Sequence, residues 1–212
     1  MQAGFLMNWA HALARLVEAL VERGERVLVS AFTHRAIHHA LRMIRKRVGC
    51  PVFKISDPFP HDSEGIEFRD TFAATGLLDD EGPYVLGITP ISPFTARAAD
   101  ARFDSAVLDE TSQMRVEAAM TPMLRARRWF FFGDDKQLPP VVQRPVADPA
   151  AESVFVALKR GEDSTMLRES YRLNDLLVGW PSKGFYGVGL TSHHLTAGHR
   201  FVLKECRGAS AA

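Results

Sequence analysis

Two acidic residues, Asp109 and Glu110, follow a short, largely apolar segment at 105–108. Metal-assisted phosphoryl transfer needs one carboxylate to hold Mg²⁺ and a second to orient the attacking water. Neighbouring acids on a loop just past a strand can supply both, because the strand pleat no longer points them to opposite sides. A solvated strand end has the same composition, so the pair alone leaves both interpretations open.

A second polar segment, Gly-Asp-Asp-Lys-Gln-Leu-Pro-Pro at 133–140, follows another apolar run. Glycine, aspartate and proline favour β-turns, which explains the composition of this segment but not its order. Charged residues that follow the C-terminal ends of two buried strands are typical of a nucleotide site on a parallel sheet. The two segments together therefore predict such a site.

Thr33 and His34 lie at a predicted strand-to-helix turn, where N–H groups and small hydroxyls bind phosphate oxygens. Thr33 is also a good N-cap for the following helix, and the two roles are compatible. His38 and His39 continue onto that helix, where a solvated face is more common than a metal site. Thr89 ends a further predicted strand before a proline, so it is either a ligand contact or simply the end of the strand.

These segments closely resemble the conserved motifs of superfamily 1 helicases. The matching segments are Ser-Ala-Phe-Thr-His-Arg-Ala-Ile at 30–37 (motif Ia), Gly-Ile-Thr-Pro at 87–90 (Ic), Val-Leu-Asp-Glu-Thr-Ser-Gln at 107–113 (II), 133–140 (III), and Leu-Arg-Glu-Ser-Tyr-Arg-Leu-Asn at 167–174 with Phe-Tyr-Gly-Val-Gly-Leu at 185–190 (the opening of the second RecA-like domain). The resemblance covers roughly residues 11 to 200. It points to the 5′–3′ branch that includes the nonsense-mediated-decay helicase and the Okazaki-fragment nuclease-helicase.

The resemblance implies ATP and Mg²⁺ as cofactors. It assigns Asp109 to Mg²⁺ and Glu110 to the attacking water, while Gln137 approaches the γ-phosphate and Asp134 helps to order the loop. It also implies that Arg172 reaches the γ-phosphate from the second domain as an arginine finger does. The alternative for Arg172 is an ordinary solvated surface residue.

The implied partner is single-stranded DNA or RNA, contacted by Thr33, His34 and Thr89. Motifs that track the backbone do not distinguish the two nucleic acids. Other P-loop NTPases, such as kinases and GTPases, do not account for Gly-Asp-x-x-Gln-Leu-Pro-Pro followed by Ser-Tyr-Arg. The resemblance therefore predicts an enzyme that couples ATP hydrolysis to movement along a single strand.

The phosphate-binding loop of the family, Gly-x-x-x-x-Gly-Lys-(Ser/Thr), is absent, and no Gly-Lys dipeptide occurs. The lysine of this loop neutralises β- and γ-phosphate oxygens, and its hydroxyl binds Mg²⁺. We expect the strand before the loop to be missing too, which would leave its two neighbours with unpaired backbone groups. The chain is thus expected to be a helicase fragment, inactive alone, whose partner is the remainder of a split or longer chain. The alternative is a catalytically dead remnant that binds nucleic acid or a protein.

Alternating apolar strands and amphipathic helices predict an α/β fold. Strands are predicted at 26–31, 52–55, 84–89, 105–109 and 129–132, and helices at 11–24, 33–47, 66–77 (weak), 114–126, 153–160 and 172–180. With the resemblance, this indicates an incomplete RecA-like parallel sheet with helices on both faces, followed by the start of a second RecA-like domain. The predicted boundaries are 1–145, 146–204 and a frayed tail at 205–212.

The 212 residues carry 26 basic and 25 acidic side chains, a net charge of +1, so a strongly basic nucleic-acid binder is excluded. A hydrophobic content of 46% is enough for a buried core. Two cysteines, Cys50 and Cys206, have no metal-ligand spacing and suit a reducing cytosol, although one disulfide stays open. Neither a membrane-length apolar run nor a signal peptide is found, so we expect a cytoplasmic protein without a membrane partner.

Overall fold

The computed structural model describes residues 7–56, 65–77, 82–91, 98, 101–140, 152–159, 164–171, 173–187 and 189–193. The α-helices are α1 (Met7–Glu22), α2 (His34–Arg45), α3 (Val116–Met123), α4 (Val154–Lys159) and α5 (Asp175–Phe185). The strands are β1 (Val27–Ala31), β2 (Val52–Ile55), β3 (Glu67–Arg69), β4 (Val85–Ile88), β5 (Phe103–Asp109), β6 (Ala126–Phe131), β7 (Glu169–Ser170) and β8 (Thr191–Ser192). Short 3₁₀ turns lie at Ala73–Thr75 and Thr111–Gln113.

Six strands form one sheet in the order β3-β2-β4-β1-β5-β6, and every neighbouring pair is parallel. All residues of β1, β2 and β4 are buried, as expected for parallel strands covered on both faces. The predicted parallel α/β architecture is confirmed.

The described sheet has no gap in its interior. The central strand β1 pairs with β4 on one side, from Val27 to Ser30, and with β5 on the other, from Val27 to Ala31. The expectation of unpaired backbone groups on two strands that flank a gap is therefore wrong for the described strands, although no described strand precedes α1. Only β3 and β6 are edges of this sheet.

Two apolar layers cover the two faces of the sheet. On one face, α1 and α2 pack through Leu13, Val17, Ile37 and Leu41. On the other face, the sheet packs against a cluster that includes Met114, Ala119 of α3 and Val154 of α4. The helices on both faces complete the predicted layers.

The predicted weak helix at 66–77 is wrong, because this segment contains β3 and a 3₁₀ turn. Glu67, Phe68 and Arg69 pair in parallel with β2, and the Arg69 guanidinium lies 5.6 Å from the centre of the Phe53 ring. Pairing with an existing strand outweighs a weak helical preference over so few residues. The other predicted elements begin and end within a few residues of their predicted bounds, with α5 extending furthest, to Phe185, whereas β7 and β8 were not predicted.

The chain divides into two compact units, one of residues 9–165 and one of residues 1–8 with 166–212. The second unit contains α5 and a two-stranded parallel ladder of β7 and β8. Asn174 caps α5 by accepting a hydrogen bond from the Leu177 amide at 2.9 Å. The boundary at 145/146 and the frayed tail stay predictions.

None of the helices in the described residues is both long enough and apolar enough to span a membrane. Cys50 is a half-buried free thiol whose pKa is raised by burial, and Cys206 lies outside the described residues.

Candidate nucleotide and nucleic-acid site

The C-terminal ends of β4, β1, β5 and β6 lie side by side at one edge of the sheet, because the four strands are parallel neighbours. This edge carries Thr89 after β4, Thr33 and His34 after β1, the acidic pair at the end of β5, and the 133–140 loop after β6. The topology thus places all the predicted site residues but one at a single edge. Arg172, the exception, lies outside the described residues.

Asp109 is the last residue of β5 and is only 3% exposed. It lies beside Ala31 of β1, and its Oδ1 accepts a hydrogen bond from the Glu110 amide at 2.9 Å. Burial raises the pKa of Asp109 to about 7, and the neighbouring Glu110 charge adds to the rise. Asp109 is therefore not a solvated strand end; it is a desolvated carboxylate that a cation would stabilise.

Glu110 is the only non-glycine residue with positive φ in the described part of the chain, at φ 55° and ψ 34°. This left-handed conformation is uncommon for residues with a Cβ and costs about 1 kcal/mol or more. Burial also raises the pKa of the Glu110 carboxyl. A strained backbone and a more basic carboxylate at the strand tip suit a group that accepts a proton.

Thr111 and Ser112 join the two strand-end loops. The Thr111 amide and hydroxyl both donate to the Phe132 carbonyl, at 2.9 and 2.7 Å. The Ser112 hydroxyl accepts a hydrogen bond from the Asp134 amide. Three hydrogen bonds thus connect the turn after Asp109 with the loop after β6, so the two loops form one unit.

Gly133 allows this close approach. A Cβ at Gly133 would lie 2.5 Å from the Thr111 hydroxyl oxygen and 2.8 Å from the Phe155 ring. Side-chain atoms do not approach so closely, so any other residue would separate the loops. The glycine is required for its lack of a side chain, since its backbone φ is not in the left-handed region.

The loop after Gly133 is ordered by the buried Asp134. Its Oδ1 accepts the Lys136 amide at 3.0 Å, and its Oδ2 accepts the Gln137 side-chain amide at 3.4 Å. This is an aspartate-centred turn, which agrees with the turn interpretation of the composition and also explains the order of residues. Both hydrogen bonds lie within the 133–140 loop, and the roles of Asp134 and Gln137 in the nucleotide site stay predictions.

Helix α4 supports this loop through contacts that were not predicted from the sequence. Lys159 forms an ion pair with Asp135 at 3.0 Å, the Phe155 ring lies against Gly133, and the Val154 amide donates to the Met114 carbonyl at 2.8 Å. The helix itself was predicted at 153–160. Its position depends on long-range packing that local periodicity does not encode.

The β1–α2 turn presents Phe32, Thr33 and His34, all exposed. The Thr33 hydroxyl oxygen accepts the Ala36 amide at 3.1 Å, which confirms its role as the N-cap of α2. Phe32 is 57% exposed and was not predicted, although an exposed aromatic at a nucleic-acid-facing turn is a platform on which bases stack. Thr89 is half-buried at the next strand end.

The donor chemistry at Asp109 and Glu110 fits Mg²⁺, which takes one or two protein carboxylates and completes its shell with phosphates and water. No cluster of three or more histidine, cysteine or acidic residues that could hold a metal occurs among the described residues, so a fully protein-ligated site is not observed there. His38 and His39 accordingly form no such cluster. Asp109 would hold the cation, and Glu110 would lie beside it.

Comparison with known proteins found relatives but no matching family model. The chain is 26% identical over 192 residues to the DNA replication ATP-dependent helicase/nuclease dna2 of Schizosaccharomyces pombe, which covers 84% of this chain and 13% of that protein. It is 31% identical over 118 residues to the DNA-binding protein SMUBP-2 of Rattus norvegicus, a match that covers 51% of this chain and 11% of that protein. It is 35% identical over 86 residues to an uncharacterized ATP-dependent helicase of Methanocaldococcus jannaschii, a match that covers 40% of this chain and 13% of that protein. The chain thus spans about an eighth of the length of these curated relatives.

Proposed function

Because this chain is a homologue of superfamily 1 helicases, we propose that it carries the water-activating and strand-contacting part of an ATP-dependent helicase site. Such a site couples ATP hydrolysis to translocation on single-stranded DNA or RNA. The observation that supports the proposal most strongly is the connection between the two loops. Thr111 and Ser112 bond to the backbone of the loop after β6, so the acidic pair and Gln137 move together.

In this proposal each residue has a separate task. Asp109 holds Mg²⁺, which when bound neutralises phosphate charge. Glu110 accepts the proton of the attacking water, and its half-buried carboxylate with a raised pKa is suited to that. Asp134 holds the Gln137 amide in the loop, from which Gln137 contacts the γ-phosphate. Arg172, which lies outside the described residues, keeps the γ-phosphate role that the family resemblance implies.

The nucleic-acid strand lies along the ends of β1 and β4. Thr33, His34 and Thr89 contact its phosphates, and Phe32 stacks on a base. The hydroxyl of Thr33 still has a proton to donate, because it only accepts a bond from the Ala36 amide. DNA and RNA both fit these contacts, since none of them requires a 2′-hydroxyl.

Equilibrium binding of a fluorescent ATP analogue to the whole chain, with and without Mg²⁺, tests the nucleotide half of the proposal. We expect Mg²⁺-dependent binding once a polypeptide that carries the phosphate-binding loop is added, and we expect Asp109→Ala to abolish it. Asp104→Ala is the matched control, because Asp104 lies on the same strand but is paired with Arg26 at 3.2 Å. Equal loss in both variants would argue against a specific role for Asp109.

The absence of the Gly-Lys dipeptide favours a second candidate, a catalytically inactive module that binds nucleic acid or a protein. In that case the chain shows no Mg²⁺-dependent nucleotide binding. Adding a separate polypeptide that carries the phosphate-binding loop then decides between the two. Restored nucleotide binding supports a split or longer helicase, and its absence supports the inactive module.

A further inference from the structure

Lys54 on β2 is fully buried although it carries a charged side chain. Its Nζ donates a hydrogen bond to the His34 carbonyl at 3.1 Å and lies 5.6 Å from the centre of the Phe68 ring. His34 is in the first turn of α2, directly after the exposed Thr33. A lysine from the interior of the sheet therefore contacts the turn that faces the nucleic acid.

The packing of α2 on the sheet makes this contact possible. Lys54 lies beside Gly87 of β4 in the sheet register. A Cβ at Gly87 would lie 2.5 Å from a Leu41 methyl and 2.8 Å from an Ile37 methyl, so α2 lies directly on the glycine. This close approach brings the first turn of α2 within reach of the Lys54 ammonium.

A lysine at this position has two energetic costs. Burial of an ammonium group costs free energy, and here it lowers the pKa of Lys54. A positive charge at the N-terminal turn of a helix also opposes the helix dipole. A methionine of similar length would fill the same space without either cost. What methionine cannot supply is the hydrogen bond to His34.

We propose that Lys54 is a positioning residue for nucleic-acid binding: it holds the first turn of α2 so that Thr33 and His34 are presented to the phosphodiester backbone. This inference rests on the proposed function, since it names a residue that acts through the proposed contact. Lys54 itself does not touch the ligand. Its effect on affinity is therefore independent of salt, unlike that of a lysine that neutralises a phosphate.

The test compares Lys54→Met with Lys46→Met in the whole chain. Lys46 is the exposed C-cap of the same helix, so its substitution removes the same charge at the other end. Three quantities are measured: the melting temperature, hydrogen exchange of a peptide covering 33–38, and the affinity for a fluorescent single-stranded 12-mer at several salt concentrations.

For Lys54→Met we expect about tenfold faster exchange in 33–38 without faster exchange elsewhere in the first unit, and about tenfold weaker binding of the 12-mer with an unchanged salt slope. Lys46→Met should change neither exchange in 33–38 nor affinity by more than about twofold. A lower melting temperature with faster exchange throughout the first unit would overturn the proposal, because it would show a merely structural lysine. Wild-type exchange and affinity in Lys54→Met would overturn it too.

The exchange measurement separates this inference from the proposed function. If the wild-type chain does not bind the 12-mer, the proposed strand contact fails. Faster exchange limited to 33–38 in Lys54→Met would then still establish that Lys54 holds the turn, whereas unchanged exchange would reject that as well.

Discussion

Asp109 is a carboxylate in surroundings that disfavour its charge, and this has a consequence for stability. The folded chain keeps the Asp109 proton up to about pH 7, whereas an unfolded aspartate releases it near its ordinary pKa of 3.8. The folded state therefore binds more protons between these two values, and the free energy of unfolding of the metal-free chain falls as pH rises through this window. Above about pH 7 the stability that the bound Asp109 proton contributes is fully lost.

Asp109→Asn should remove this pH dependence. We expect the variant to be more stable than wild type at pH 8, by up to about 4 kcal/mol, and similar to it at pH 4. Urea unfolding across pH measures this.

Asp104→Asn provides a control of opposite sign. Burial opposes ionisation of Asp104, but hydrogen bonds and the charge of Arg26 lower the pKa of its carboxyl. The stability that Asp104 contributes is therefore present above about pH 4 and lost at lower pH. A stability difference between Asp109→Asn and wild type that does not grow between pH 4 and 7 would contradict the assignment.

Gly133→Ala tests the contact between the two loops. The added Cβ would clash with Thr111 and Phe155, so we expect a loss of about 1–3 kcal/mol in unfolding free energy. Gly49→Ala is the control, because a Cβ there meets no atom within 4 Å. Thermal or urea unfolding of both variants gives the comparison. Equal stability of the two variants would show that the loops separate freely.

At the scale of elements, Thr33 caps the N-terminus of α2 and is also proposed to contact nucleic acid. Substitutions of Thr33 can separate these two roles. Thr33→Ala removes the cap on the Ala36 amide and should cost about 1 kcal/mol of unfolding free energy, whereas Thr33→Ser keeps the hydroxyl and should cost little. Oligonucleotide affinity should follow the same order. If Thr33→Ser loses affinity while stability is retained, the methyl group and not the hydroxyl makes the contact.

The sequence predicted elements best where a buried apolar run ends in a polar turn. β1 and β5 and the residues that follow them were found for this reason, and so was the clustering of Asp109, Asp134 and Thr33 at one edge. β6 was found from its apolar residues, but the prediction that it is buried is wrong, because it is an edge strand without a buried residue. β3 was missed because three half-exposed residues have no periodicity and form a strand only by pairing with β2. The contacts of Ser112, Phe155 and Lys54 were missed because each depends on residues distant in the chain.

At the scale of the molecule, 26 basic and 25 acidic side chains give no general attraction to nucleic acid. Binding therefore depends on the few contacts at the β1–α2 turn. We expect the logarithm of the single-strand association constant to fall against the logarithm of salt concentration with a slope shallower than about −2, because neutral hydroxyl contacts such as that of Thr33 release no counterions. A slope steeper than about −4 would indicate a larger basic surface than the one proposed.

Arg35 offers a residue-specific check on that slope. It is exposed in the first turn of α2, next to His34. Arg35→Ala should reduce the slope by about 0.7 if the guanidinium neutralises one phosphate. Arg15→Ala, which removes an exposed arginine of α1, should leave the slope unchanged. Both values come from titrations of the labelled 12-mer at four salt concentrations.

The order of strands in the sheet has a consequence for synthesis of the chain. β1 is made before the other five strands, yet its two neighbours are β4 and β5, and not β2, which follows it directly. On the ribosome this central strand, which is fully buried in the folded chain, emerges long before its partners. Slowing translation between β1 and β5 should therefore lengthen the exposure of nascent β1 to chaperones and to aggregation, whereas slowing it after β6 should not.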